Sequence, residues 1–155
     1  MLRGFEYRFY PSPQQKIALA KTFGCARYAY NWALNLRSEA WKERQERIGY
    51  GATSAALTEW KRQPEVAWLN EVSSIPVQQS LRHLQTAFVN FWRNGAAYPN
   101  FKSKFNRQSA EFTRSGFQWS GGQLTLAKVG KLKIRWSRRF SAVFGVRIQE
   151  RFYAS

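Results

Sequence analysis

Aspartate is missing from this chain: the nine acidic residues among its 155 are all Glu. Hydrolysis on bound divalent cations needs two or three convergent carboxylates. Glu6, Glu111 and Glu150 lie in strand-like segments, but nothing in their spacing brings them together, so no metal site is expected. Cysteine occurs once, at Cys25, which excludes an internal disulfide and any cysteine-rich zinc site and reads as a small packing residue at a helix crossing. The single histidine, His83, falls one position off an apolar helical stripe and reads as a helix-boundary residue rather than a catalytic one. There is no glycine-rich phosphate loop, and Gly121-Gly122 reads as a turn. No apolar run is long enough to span a bilayer. The opening MLRGFEYRFYP has no apolar core of the kind a signal peptide needs. With one cysteine, a reducing, cytoplasmic setting is expected. These absences leave no catalytic residue, metal ligand or cofactor to name, so the chain alone is expected not to be an enzyme.

What is present is positive charge and aromatic bulk. Seven Trp, seven Tyr and twelve Phe supply enough large apolar side chains for a core, which argues against disorder. The formal net charge of +16 favours polyanion partners. It is unevenly spread: residues 1–95 hold 13 Lys/Arg against 7 Glu, residues 96–155 hold 12 against 2. A membrane partner is not expected, because no basic amphipathic helix accompanies the charge.

Along the chain, Leu2 to Tyr10 alternates as a half-buried strand, with Phe5, Tyr7 and Phe9 on one side. Ser12-Pro13 with Gln15 predicts a capping box, and a helix to about Phe23 with Ile17, Ala20 and Phe23 inward. Gly24 predicts a break or a tight crossing. A second helix follows with Tyr28, Trp32, Leu36 and Ala40 as its stripe, while Glu39, Glu43 and Arg47 form a solvated face. Ile48 to Gly51 reads as a turn, with Thr53 or Ser54 capping a short helix to about Arg62. A further helical turn is expected over Val66 to Leu69. A long helix opens at Ser73-Ser74-Ile75-Pro76, carries Val77, Leu81, Leu84, Phe88 and Phe91 inward, and stops at Asn94-Gly95. Then the texture changes to short strand-like pieces: SAEFT, FQW, QLTL, LKIRW, VFGVRIQ and RFYAS. One strand, a block of helices and about six strands predict an α+β chain. A lone N-terminal strand is marginal, so it is expected to join the later ones, making the helices an insertion into a small β-barrel or sheet.

Between the two textures lies Tyr98 to Gln108, YPNFKSKFNRQ, in which Lys102, Lys104 and Arg107 alternate with aromatics and no acid intervenes. It suits a nucleic-acid backbone, and it equally suits a solvated basic linker whose aromatics fill the core. Arg114, Lys128, Lys131, Lys133, Arg135, Arg138, Arg139 and Arg147 extend the basic character into the strands. Tyr50, Ser54, Ser74 and Gln78, at helix ends, are candidates for base edges in a groove or ordinary capping and surface residues.

In order, YRFYPSPQQ, FGCARYAYNWALNLRSEA, LTEWKRQPEVAWLNEV, PVQQSLRHLQTAFVNFW, YPNFKSK and the terminal RFYAS resemble the N-terminal part of the TnpB (OrfB) family, RNA-guided DNA nucleases of insertion sequences. The resemblance covers essentially the whole chain. It implies an oligonucleotide-binding-like β-barrel, the wedge domain, made of residues 1–12 and 96–155 and split by an all-helical recognition domain of residues 13–95. It also implies a RuvC-type nuclease domain with a zinc ribbon after the point where this sequence stops, so that the chain is a truncated copy.

By the same resemblance, DNA and a guide RNA are the expected partners, and a separately encoded nuclease half is a candidate third. Tyr50, Ser54, Ser74, Ile75, Gln78 and Thr113 would read a short DNA motif beside the target, with Ser74 departing from the longer side chain of some relatives. Lys102, Lys104, Arg107 and Arg114 would hold nucleic-acid backbone, with Tyr98 and Phe101 anchoring the stretch to the core. The expected function is a binding remnant without cleavage activity. Alternatives are a stand-alone DNA-binding regulator and a decayed transposase product without function.

Overall fold

The computed structural model describes residues 4–136, 140 and 142–150. Arg138, Arg139, Phe152, Tyr153 and the whole RFYAS segment lie outside them. The described chain is α+β, with helices first and short strands after.

Helix α1, Pro13–Arg44, starts where the sequence places it. The Ser12 side chain accepts from the Gln15 amide and the Gln15 side chain accepts from the Ser12 amide, closing the capping box. It does not stop at Gly24. One interior glycine costs about 1 kcal/mol relative to alanine, less than the packing of the helix on both sides supplies, and a Cβ at Gly24 would approach only the Arg27 guanidinium, at 3.9 Å.

The buried face of α1 also differs from the expected one. Ile17 and Ala20 are exposed, and Tyr28, Trp32 and Leu36 are only half-buried. The inward stripe is Leu19, Phe23, Ala26, Tyr30, Ala33, Arg37 and Ala40, whose alternating steps of four and three make a helical repeat. Its many alanines let neighbouring helices approach closely, and weigh little in a search for bulky residues.

Helix α2, Tyr50–Trp60, begins four or five residues before its expected start, with Gly49 at its N-cap. Thr53 and Ser54 are therefore interior rather than capping, and the Thr53 hydroxyl donates back to the Gly49 and Tyr50 carbonyls. A 3₁₀ helix, Pro64–Asn70, follows. Helix α3, Ser74–Arg93, is capped by the Ser73 hydroxyl, which accepts from the Ile75 amide at 3.3 Å. Val77, Leu81, Leu84 and Phe88 are buried as expected, whereas Phe91 lies outside the core. Together with α1 and α2 these residues form a helical core that includes Leu34, Leu57 and Leu69.

Strand β1, Ser109–Phe112, pairs antiparallel with β5, Val146–Gln149. Strands β2 (Phe117–Ser120), β3 (Gln123–Leu126) and β4 (Gly130–Lys131) form an antiparallel meander, turning at Gly121-Gly122 where both residues have positive φ. The N-terminal segment joins them through one bridge, Phe9 to Ile134, flanked by Tyr10 N–H to Lys133 O (2.8 Å) and Arg135 N–H to Arg8 O (2.9 Å). Among the described residues the strands make two small sheets. Both face one core of Phe112, Phe117, Leu124, Leu126, Leu132 and Ile148, which Leu19 and Phe23 of α1 complete. Helix α1 is thus shared by both cores. Among the described residues no helix is long and apolar enough to cross a membrane.

Candidate nucleic-acid interface

Because α2 starts at Tyr50, Tyr50 and Ser54 fall one turn apart on one face of it. Gln78, in the first turns of α3, faces both: its amide nitrogen donates to the Tyr50 hydroxyl at 2.8 Å and to the Ser54 hydroxyl at 2.5 Å. One turn further along α3, Arg82 sets its guanidinium 4.5 Å from the Tyr50 ring centroid. Arg82 is missing from the sequence-derived set, although its position four residues after Gln78 is a signal that could have found it.

The chemistry of this cluster is specific. Gln78 has spent both amide protons and keeps its carbonyl oxygen, while Tyr50 and Ser54 each keep a hydroxyl proton. The half-buried cluster therefore offers two donors and an acceptor on a preset spacing, beside a cation. That is the kind of array that base edges can pair with.

The other expected motif residues are differently placed. Ser74 is exposed in the first turn of α3. Ile75 is half-buried and packs against the turn after β1: a Cβ on Gly116 would come within 3.1 Å of two Ile75 carbons. Thr113 is half-buried at the N-cap of the short 3₁₀ turn Arg114–Gly116. Ile75 and this turn thus meet at the α3 N-terminus, where a glycine admits the side chain. His83 Nε2 and Glu111 Oε2 form a short contact that ties α3 to β1, and Arg147 of β5 lies 3.9 Å from the same carboxylate.

The basic stretch is held by α1. The Asn31 side chain accepts from the Lys102 amide (2.8 Å) and donates to the Lys102 carbonyl (2.9 Å). The Arg27 guanidinium donates to the side chain of buried Gln108 (2.7 Å), whose own amide donates to the Ser103 and Asn106 carbonyls. Tyr98 anchors as expected, bonded to the Ser38 hydroxyl at 2.8 Å and edge-on to Phe88 and Phe91. Phe101 does not: it is 60% exposed, and Asn31 supplies the fixation in its place. That pairing links residues 71 apart, which no local pattern announces.

Among the expected backbone cations, Lys104 is exposed, with its ammonium 5.2 Å from the exposed Phe105 ring. Lys102 sits 4.3 Å over the Tyr30 ring, and the low-dielectric surroundings and the Arg147 guanidinium hold it below the usual lysine range although it keeps solvent contact. Arg107 donates to Gln149 of β5, and Arg114 to the Val143 carbonyl at 3.1 Å. Arg107 and Arg114 thus lie against the strands, while Lys102 is held against α1.

Residues 1–46 match the helix-turn-helix domain of OrfB-type IS605 proteins. Among the described residues of the matched span there is one uninterrupted helix, and the next begins at Tyr50. A Streptomyces pristinaespiralis protein named "Putative RNA-guided DNA endonuclease" is 57% identical over 138 residues, covering 88% of this chain and 34% of that protein. InsQ of Escherichia coli (strain K12), named in the same terms, is 31% identical over 143 residues, 92% of this chain and 36% of InsQ. Virulence protein VsdF of Salmonella dublin is 28% identical over 116 residues, 69% of this chain and 98% of VsdF. The chain spans about a third of the length of the first two relatives.

Proposed function

We propose that this chain, which belongs to the TnpB/OrfB family of insertion-sequence proteins, binds nucleic acid for an RNA-guided DNA nuclease and has no cleavage activity of its own. The observation that carries the reading is Gln78 bridging Tyr50 and Ser54, with Arg82 beside them. In this reading that cluster, with Ser74, Ile75 and Thr113 along its edge, reads a short motif on duplex DNA. Lys102, Lys104, Arg107 and Arg114 hold the phosphates of the guide RNA. The two small sheets and the N-terminal bridge are the parts of an oligonucleotide-binding-like barrel made of residues 1–12 and 96–155, and residues 13–95 are the inserted recognition domain. The nuclease itself is supplied by a domain or partner other than these residues.

A second reading is a DNA-binding regulator that occupies the motif alone; what supports its stand-alone character is that the match covers 98% of the short relative VsdF. The two share the motif cluster and differ in whether guide RNA binds.

Selection from a randomised duplex library separates the parts. The purified chain is expected to enrich one short motif. Gln78→Ala is expected to flatten the preference by about 5- to 100-fold, the worth of one good base contact. Lys102→Ala with Lys104→Ala should leave that preference unchanged and weaken guide-RNA binding for every RNA sequence alike. If both variants act alike, the division of labour is wrong. With Mg²⁺, guide and target present, no product is expected, and reproducible cutting by the purified chain would overturn the reading.

A further inference from the structure

One concavity lies away from the motif cluster, between α1 and the 3₁₀ helix Pro64–Asn70, with a volume of about 700 Å³. That is within the usual range for small-ligand sites. Its walls are Tyr28 and Trp32, one turn apart on α1, and Trp68 opposite. Gly24 continues the same helical row, leaving the cleft open where any side chain would enter it.

The walls are held in place. Trp60 donates its indole N–H to the Tyr28 hydroxyl at 3.0 Å, which fixes that ring. Trp68 meets Tyr28 edge to face, with centroids 4.9 Å apart at 77°, so the contact occupies a face of one ring only and leaves the faces of the other clear of it. Trp68 is 40% exposed. Large aromatic faces left open but immobilised suit stacking, because little side-chain entropy remains to be lost on binding.

The polar groups narrow the choice of occupant. Lys21 and Arg27 stand at the rim. The one carboxylate there, Glu71, is already paired with Lys21 at 3.3 Å. Cys25 lines the floor, and burial together with the Glu71 carboxylate pushes its thiol up to about 11, against the opposing effect of Lys61 and Lys21, so no thiolate is available for chemistry. The cleft is thus a binding site without a reactive group. Asn31, at its edge, is the residue that clamps the Lys102 backbone, so the cleft opens beside the basic stretch.

We propose that this cleft takes one unpaired base of a single-stranded RNA whose phosphates follow Lys102 and Lys104. Duplex DNA cannot use it, because its bases are already stacked and paired; an unpaired base splayed from a loop or end can stack on Trp68 or Trp32 while rim cations meet the flanking phosphates. The inference rests on the RNA-binding half of the proposed function and gives it a specific site.

The test uses the 155-residue chain and fluorescence anisotropy with three probes: a labelled single-stranded RNA, its DNA counterpart, and a duplex carrying the selected motif. Trp68→Ala is expected to weaken RNA binding by about 5- to 100-fold, the worth of one stacked base, with duplex affinity within twofold and the RNA salt slope unchanged. Trp68→Phe should recover most of the loss. If Trp68→Ala fails to fold, Trp32→Phe and ultraviolet crosslinking still decide, with the crosslinked peptide expected to contain Trp68 or Tyr28. Unchanged RNA affinity in a folded variant, an equal loss on duplex, or crosslinks elsewhere would overturn the cleft assignment and leave the motif reading standing. Binding of single-stranded DNA but not RNA would overturn the choice of RNA. A wild-type chain that binds none of the probes would overturn both.

Discussion

Cys25 shows what one buried group does to stability. Its thiol is 3% exposed, and its pKa is raised from the ordinary value of 9.0 to about 11. The folded state therefore keeps a proton that the unfolded state loses first. The contribution is fully present below pH 9, falls as pH rises, and is gone near pH 11, with an upper bound of roughly 3 kcal/mol. Urea midpoints measured from pH 8 to 11 are expected to fall in the wild type and to fall less in Cys25→Ala; parallel curves would disprove the assignment. Arg37 is the other buried group of note. It is 4% exposed, stacked 4.0 Å over Phe88 and bonded to Gln85 at 2.8 Å, and burial holds its guanidinium below the usual arginine range. A sequence reading passes over such a residue, because arginine counts as surface until its long stem is seen lying on an aromatic.

Among the elements, the junction of the β1 turn with α3 is the most sensitive. A Cβ on Gly116 would meet Ile75 at 3.1 Å and the Phe112 ring at 3.2 Å. Both neighbours are packed, so Gly116→Ala is expected to cost about 1–3 kcal/mol and to displace Ile75 from the edge of the motif cluster. Thermal melts and motif selection on the same variant check it: loss of stability with no change in preference would remove Ile75 from the reading surface. Gly24 predicts the opposite. Space is open there, so Gly24→Ala is expected to stabilise α1 by about 0.5–1 kcal/mol.

The same elements show what the sequence made legible. Caps and turns were readable, because Ser12 with Gln15, Ser73 and Gly121-Gly122 act through bonds to near neighbours. The start of α2 was not: Gly49-Tyr50-Gly51 has turn composition, and its helical state rests on Tyr50 packing toward α3. Nor was the inward face of α1, which is chosen by two cores at once. In the candidate site, Tyr50, Ser54 and Gln78 were legible as residues, whereas their mutual hydrogen bonds, and Arg82 and Asn31, depend on contacts between helices or across 71 residues.

At the scale of the whole molecule, the proposed binding is expected to follow charge, and cooperativity to follow α1. Affinity for single-stranded RNA is expected to fall with salt at a slope of about −0.7 per phosphate contacted, so losing Lys102 and Lys104 together should flatten the slope by up to about 1.4. A salt-independent affinity would contradict the electrostatic reading. The residues that make the helical core and those that cover the sheets are joined through one continuous helix, so calorimetry is expected to show one transition with matching calorimetric and van't Hoff enthalpies. Two resolved transitions would mean that the cores unfold independently.

A helix that serves two cores also constrains which length changes the gene can tolerate. Inserting one residue between Phe23 and Ala29 would turn everything downstream by about 100° and carry it about 1.5 Å along the axis. Ala29, Ala33 and Arg37 would leave the neighbours they now face, while Leu19 and Phe23 would stay seated on the sheets. Insertions and deletions in this lineage should therefore be excluded from the middle of α1 and concentrated in the connections around residues 45–49 and 94–97. A reading-frame accident in α1 that restored the frame one codon longer would leave every residue type in place and still scramble the angular phase between its two halves.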